Sequence, residues 1–174
     1  GVVVIAAAGN DASSACGTTP AATLGTISVA SMTELDSESS FSNYGLCVDI
    51  FSPGSAIKSA FPYLSGTAIT YATLSGTSMA APFISGAVTR FLQLLETGPT
   101  SFATGPTAVW TWLRDNSTTN AISYFNNSRN PQTNNRLLYV SASTVRVEQL
   151  AATPTNGGAI VSWQNAQPAT TYVA

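Results

Sequence analysis

The sequence contains no histidine among its 174 residues. Histidine supplies most acid–base chemistry near neutral pH and is the commonest metal ligand. These residues therefore cannot by themselves form a histidine metal site or a complete Ser–His–Asp triad. This absence limits every enzymatic role that the sequence can support.

Charged side chains are also scarce, at 8% of the sequence against about 25% in a typical domain. Six basic residues and a net charge of −2 are too little for a surface that follows nucleic-acid phosphates. The hydrophobic fraction is an ordinary 44%, which argues against a disordered chain. Ser, Thr and Asn supply the polar surface instead, as is common in secreted proteins.

Long apolar runs are missing, so the sequence predicts no membrane span, which needs about 20 apolar residues. The first residue is Gly rather than Met, and the first segment lacks the basic region of a signal peptide. An apolar strand pattern at the first position predicts that the sequence begins inside a domain. The two cysteines, Cys16 and Cys47, suit either one disulfide or two buried thiols.

The order of predicted elements indicates an α/β fold with a parallel sheet. Residues 1–8 (GVVVIAAA) form a continuous apolar run, which is typical of a strand buried on both faces. Apolar periodicity and turn residues predict further short strands and two helices. The predicted strands are 26–32, 47–51 and 136–140, and the predicted helices are 78–95 and 107–115. An Asn-, Ser- and Thr-rich loop is expected over 116–135, with glycosylation sequons at Asn116 and Asn126.

The pattern changes after residue 140. Short β segments at 145–150, 159–163 and 170–173 are separated by turn signals such as Pro154, 156–158 and Pro168. Regular short strands of this kind predict the start of a β-sandwich. So short a segment cannot bury a core alone, so the sequence predicts a truncated second domain.

Residues 74–82 (LSGTSMAAP) place Ser78 at the start of an apolar helix. A helix N-terminus presents free N–H groups and partial positive charge, which suit developing negative charge on a substrate. Gly76 and the small residues that follow leave room for a substrate chain. This pattern predicts a nucleophilic serine, although a serine that merely caps the helix is the commoner use of such a residue.

A second candidate site follows the first strand, where Gly9 and Asn10 come at the carboxyl edge of the predicted sheet. Ligand sites of α/β proteins gather at this edge. The Asn10 amide could donate a hydrogen bond to an oxyanion there, or could simply occupy a turn.

Five ordered blocks together resemble the subtilisin-like serine proteases, and specifically their proteinase K branch. The blocks are AAAGN at 6–10, FSNYG at 41–45, VDIFSPG at 48–54, SGTSMAAP at 75–82 and NNRLLY at 134–139. The resemblance covers residues 1–141 and implies the C-terminal part of a three-layer, parallel-sheet subtilisin-like domain.

The resemblance also implies roles for single residues. Ser78 would be the nucleophile, and Asn10 would donate to the oxyanion together with the Ser78 N–H. Ala7, Ala8 and Gly9, with Gly76, would bind substrate. The catalytic Asp and His of this family precede the serine, so they are expected upstream of Gly1, and these residues alone are expected to be inactive.

Three further features follow from the resemblance. Some proteinase K-like enzymes join the positions of Cys16 and Cys47 by a disulfide. The family often binds a structural calcium ion with a carboxylate at the position of Asp49 and backbone carbonyls near Leu24 and Thr26. Phe83 stands where the family usually has a packing histidine. Residues 145–174 in turn resemble the opening of a fibronectin type III module.

The sequence therefore predicts part of a secreted, extracellular and monomeric serine endopeptidase that acts on protein or peptide substrates. No cofactor is needed for its chemistry, and neither nucleic acid nor a membrane is an expected partner. Two alternatives stay open. One is a sedolisin-type Ser–Glu–Asp peptidase, although sedolisins place Asp at the position of Asn10. The other is a non-catalytic pseudoprotease or adhesion protein.

Overall fold

The computed structural model describes residues 1–61, 70–97, 105–125, 133–140, 147–155 and 158–165. Three adjacent parallel strands form one side of its main sheet: β1 (Val4–Ala7), β2 (Thr26–Met32) and β3 (Ile50–Pro53). The remaining elements up to residue 140 are β4 (Ile57–Phe61), β5 (Thr70–Leu74), α1 (Thr77–Thr97), α2 (Pro106–Asp115), β6 (Thr118–Thr119) and β7 (Arg136–Leu137). The order across the main sheet is β1-β2-β3-β7-β6, with β7 parallel to β3 and β6 antiparallel to β7.

Strand β2 is buried on both faces. The apolar run at 1–8 predicts such burial for β1 instead, but β1 is an edge strand of the described sheet and Val4 is 46% exposed. Alternate side chains enter two separate cores. Ile27 and Val29 pack on one face with Ile84 and Val88 of α1. Ala30 and Met32 face the opposite core. The sheet is therefore covered on both sides, which fixes α1 across β1, β2 and β3.

The second helix completes the core on the α1 side. Gly105 precedes α2, and Pro106 occupies its first turn, where a missing N–H costs little. Leu113 is buried, and Trp110 and Trp112 pack against the same core. The Trp112 ring stacks on Phe91 of α1 at 4.5 Å between centroids.

Several predicted boundaries are wrong. The strand predicted at 47–51 is β3 over Ile50–Pro53, so Pro53 ends the strand rather than following it. The expected loop at 116–135 contains the short strand β6. The antiparallel hairpin of β4 and β5 is not predicted by the sequence, because these segments are short and lack a clear alternation.

Beyond residue 140 the structure shows an antiparallel pair, β8 (Val147–Thr155) and β9 (Gly158–Asn165). Pro154, predicted as a turn residue, lies within β8 and pairs with Ala159. The third predicted segment, 170–173, lies outside the described residues, so a β-sandwich stays a prediction.

A disulfide joins Cys16 to Cys47 with their Cα atoms 5.1 Å apart, which confirms the pairing. The bond closes a loop with a sequence separation of 31. Loop-closure entropy assigns such a bond about 3–4 kcal/mol of stability. It ties the loop that follows Asn10 to the segment that follows Asn43.

Within the described ranges, no helix is both long and apolar enough to cross a membrane.

Candidate active site

Asn10 and Ser78 meet at the carboxyl edge of the parallel sheet. Strand β1 ends at Ala7, three residues before Asn10, and α1 begins at Thr77. The Gly76 N–H donates to the Gly54 carbonyl at 2.8 Å, immediately after β3 ends. The ends of β1 and β3, which flank β2 in the sheet, therefore place the start of α1 beside the loop that carries Asn10.

Thr77 fixes the orientation of the Asn10 side chain. Asn10 Oδ1 accepts from the Thr77 N–H at 2.8 Å and from the Thr77 hydroxyl at 2.9 Å. The same hydroxyl accepts from the Gly9 N–H at 3.2 Å. Because both donors meet Oδ1, the Nδ2 end of the amide is directed away from Thr77. No acceptor for Nδ2 occurs among the residues that the structure describes.

Ser78 is the second residue of α1 and is exposed. Its N–H has no acceptor within the described part of the chain, as expected in the first turn of a helix. Pro82 lacks the N–H that would bond to the Ser78 carbonyl. A Cβ placed on Gly76 would lie 3.6 Å from Asn10 Nδ2, so glycine keeps the space in front of this donor open.

The close contact between Gly54 and Gly76 leaves no room for a side chain at position 54. A Cβ on Gly54 would come within 2.8 Å of the Gly76 carbonyl and would overlap the Ser31 hydroxyl. That hydroxyl is hydrogen-bonded to Ser39 Oγ at 2.8 Å, and Ser39 Oγ to Ser55 Oγ at 2.7 Å. This chain of hydroxyls supports the end of β3 behind the site. No local sequence pattern indicates it, because the three serines are far apart in the sequence.

The predicted substrate-binding residues lie in different environments. Gly9 and Ala7 are half-buried, whereas the Ala8 side chain is fully buried in the core with Ala30 and Phe51. The Ala8 methyl is therefore not accessible to a ligand. Substrate binding by this segment stays a prediction.

The predicted metal ligands lie at the N-terminal ends of β2 and β3, at the opposite edge of the sheet from Ser78. Asp49 Oδ2 accepts the Ser28 N–H at 2.8 Å, and burial raises the pKa of the Asp49 carboxyl above its ordinary value. Thr26 is the first residue of β2, and the Leu24 side chain is fully exposed. No group of three or more acidic, histidine or cysteine side chains that could hold a metal occurs in the described residues.

A groove of about 550 Å³ runs along α1 beside Ser78. Its lining is mainly apolar and includes Met79, Phe83 and Leu138, with the basic side chains of Lys58 and Arg90. Phe83 is 42% exposed there, although the helical spacing places it on one line with Met79 and the buried Ala87.

The arrangement combines an exposed hydroxyl at a helix N-terminus with two hydrogen-bond donors beside it. Such donors stabilise the oxyanion that forms when a hydroxyl attacks a carbonyl. The geometry is compatible with chemistry in which a serine hydroxyl attacks a carbonyl group.

Sequence and structure comparisons identify the family. Residues 1–138 match the family described as the Subtilase family, and the chain belongs to it. It is similar to the "Extracellular serine proteinase" of Thermus sp. strain Rt41A, with 48% identity over 58% of this chain and 24% of that protein. It is also similar to "Subtilisin-like protease 3" of Pseudogymnoascus destructans, with 37% identity over 74% of this chain and 30% of that protein.

A solved structure confirms the fold. The crystal structure of a cold-adapted subtilisin-like serine proteinase matches 78% of this chain and 44% of that chain, with a TM-score of 0.61 and 40% identity. The α/β, subtilisin-like fold predicted from the sequence is therefore confirmed. The chain spans about a quarter to a third of the length of the curated relatives described above.

Proposed function

We propose that the protein containing this chain is a secreted serine endopeptidase in which Ser78 is the nucleophile and Asn10 an oxyanion donor. The observation that carries the proposal is the fixed Asn10 amide, whose Oδ1 is held by Thr77 while Nδ2 stays available beside Ser78. Protein or peptide substrates fit a serine protease family, and the protein would act on them as a monomer.

In the proposed mechanism, Ser78 Oγ attacks the carbonyl carbon of the scissile peptide bond while a general base removes its proton. The carbonyl oxygen becomes an oxyanion, which receives hydrogen bonds from Asn10 Nδ2 and the Ser78 N–H. Collapse of this intermediate expels the amine, which takes up the proton, and leaves an acyl ester on Ser78. Water then attacks the acyl carbon of the ester while the base removes its proton, and the oxyanion forms again. Collapse of this second intermediate releases the carboxylic acid product and returns a proton to Ser78 Oγ.

The general base cannot be a histidine of these 174 residues, since there is none. We infer that the Asp and His of the triad belong to polypeptide outside this chain. Ser78 and Asn10 then supply the nucleophile and the oxyanion donor but no base, so the chain alone would be inactive.

A fluorophosphonate probe tests the proposal. It should label the complete secreted protein at Ser78, and the same preparation should hydrolyse casein near neutral pH. The isolated 174-residue chain should show neither property, because an unactivated serine reacts slowly with such probes.

The alternatives give different outcomes. Hydrolysis confined to acid pH would favour a sedolisin-type mechanism, although sedolisins have Asp at the position of Asn10. A folded complete protein that neither reacts with the probe nor cleaves casein would favour a pseudoprotease or adhesion protein. The fibronectin-like role of residues 145–174 is a further proposal, and the β8–β9 hairpin is compatible with it.

We further propose a structural calcium ion bound by Asp49 with the backbone carbonyls of Leu24 and Thr26. These ligands are all oxygen atoms, which calcium prefers. Asp49 Oδ1 has no protein donor among the described residues, and a cation beside it would offset the cost of burying the charged carboxylate. The residues present thus fit the ion as part of its ligand set.

Asp49→Asn tests the calcium site, because asparagine keeps an oxygen for the Ser28 N–H but loses the charge. In the unchanged protein, calcium at about 100 times its Kd should add about 2.7 kcal/mol, or roughly 5–10 °C in Tm, relative to chelator. The variant should lose this increase. Asp36→Asn is the matched control, since Asp36 is exposed with a φ of 51° that asparagine tolerates. Equal calcium responses in the two variants would refute the site.

A further inference from the structure

Asn43 lies fully buried against the loop that carries Asn10. Its Nδ2 donates to the Ala8 carbonyl at 2.9 Å. Its Oδ1 accepts from the N–H groups of Asp11, at 2.9 Å, and Ser13, at 3.1 Å. One side chain therefore supplies both a donor and an acceptor to a loop that lies 30 to 35 residues away in the sequence.

The bonds made by Asn43 hold the backbone immediately before and after Asn10. The Asn43 N–H donates to the Gly9 carbonyl at 2.9 Å, and Asn43 Oδ1 accepts the Asp11 N–H. Gly9 and Asp11 are the two sequence neighbours of Asn10. Asn43 makes no hydrogen bond to Asn10 itself, so any effect on the oxyanion donor passes through this backbone.

Close packing makes the arrangement specific. Gly9 has a φ of 105°, and a Cβ at this position would overlap the Asn43 amide. Asn43 Nδ2 also donates to Thr18 Oγ1 at 3.1 Å, so both ends of the amide are fully used. Because Asn43 is fully buried, water cannot readily replace a lost bond.

The contact with Asn43 is separate from the contact with Thr77. Thr77 binds the Asn10 side chain through Oδ1, whereas Asn43 binds the main chain on both sides of it. The orientation of Asn10 Nδ2 depends on both contacts, since a fixed amide on a displaced backbone would still miss the oxyanion.

We propose that Asn43 is a positioning residue for the oxyanion donor, acting through the backbone of residues 8–13. The proposal rests on the proposed function, in which Asn10 stabilises the tetrahedral intermediate. It requires an amide at position 43, since the separate Nδ2 and Oδ1 atoms reach the Ala8 carbonyl on one side and the Asp11 and Ser13 N–H groups on the other.

The test uses Asn43→Ser and Asn43→Asp in the complete secreted protein. Serine loses most of the contacts, while aspartate keeps the acceptor for the two N–H groups and loses the donor to Ala8. With kcat normalised to titrated active sites, Asn43→Ser should lower kcat about 10- to 100-fold with KM changed by less than about threefold. The normalised kcat of Asn43→Asp should lie between that of Asn43→Ser and that of the unchanged protein.

Asn135→Ser is the matched control. Asn135 holds Ile122 by a similar pair of bonds, accepting its N–H at 3.0 Å and donating to its carbonyl at 2.8 Å, and neither residue is hydrogen-bonded to residues 8–13 within the described part of the chain. This variant should lower Tm but leave the normalised kcat unchanged. An equal fall in kcat for the Asn135 and Asn43 variants would overturn the proposal.

A double-mutant cycle with Asn10→Ala separates positioning from general damage. If Asn43 acts through Asn10, Asn43→Ser should cause little further loss of kcat once the Asn10 amide is gone. Fully additive losses would overturn the proposal even if each single loss were large.

Amide hydrogen exchange supplies a readout that does not need activity. The Asp11 and Ser13 N–H groups should exchange at least about 10-fold faster in Asn43→Ser than in the unchanged protein, and at unchanged rates in Asn135→Ser. Unaltered exchange would show that Asn43 does not hold the loop. Absence of peptidase activity in the unchanged protein, with the expected exchange rates, would instead overturn the proposed function and with it the positioning role of Asn43.

Discussion

Ser78→Ala should abolish both fluorophosphonate labelling and peptide hydrolysis by the complete protein. The substitution removes the only atom of Ser78 that can form the acyl ester and leaves the helix start otherwise intact. Loss of the corresponding serine of subtilisin lowers kcat by about 10⁶, which sets the expected scale. Initial rates on a chromogenic peptide, with labelling read by mass spectrometry, measure the effect.

Ser85→Ala is the matched control for this substitution. Ser85 lies on the same helix and is exposed, and its hydroxyl donates only to the Ala81 carbonyl at 3.3 Å. It should leave labelling and hydrolysis unchanged. Retention of more than a trace of activity by Ser78→Ala would remove Ser78 from the mechanism, whereas a loss in both variants would indicate damage to α1.

Asn10→Asp should lower kcat by about 10²- to 10³-fold, the scale known for the equivalent amide of subtilisin, with little change in KM. Aspartate keeps an oxygen for the Thr77 N–H and hydroxyl, so the loop keeps its contacts. It has no N–H to offer and carries a negative charge toward the oxyanion. Steady-state kinetics at neutral pH would measure the change.

Asn10→Ala provides the comparison, since it removes the donor and also the contacts with Thr77. The two variants should lose similar amounts of kcat if the missing donor is the cause. A large loss in Asn10→Ala with near-normal kcat in Asn10→Asp would show that Asn10 is structural and is not the oxyanion donor.

Strand β2 and both helices could be predicted with nearly their observed bounds because their residues are buried in regular patterns. Strand β2 has the predicted bounds of Thr26–Met32, and α1 differs from its prediction by only one to two residues at each end. The apolar face of each element is visible in the sequence without its neighbours. The β4–β5 hairpin is different, since its pairing depends on a partner strand rather than on its own pattern.

The site was predictable in part for a similar reason. Ser78 and Asn10 stand in short motifs with local signals, a helix start and a strand end. Thr77, Gly54 and Asn43 carry no such signal, because their roles arise from contacts between segments far apart in the sequence. Asn43 does fall within the FSNYG block, but the block alone does not reveal that its amide is buried.

The two bonds from Thr77 also fix which end of the Asn10 amide faces away from the helix start. A rotation of the amide by 180° would bring Nδ2 against the Thr77 N–H and exchange an attraction for a repulsion between two donors. The end of the amide that meets a bound molecule is therefore always the hydrogen-bearing one. In the proposed active site, this edge of the sheet would therefore select by electrostatic sign. Tetrahedral adducts with a negative oxygen, such as those of boronic acids and aldehydes, would be stabilised, and groups that present a hydrogen-bond donor there would bind poorly.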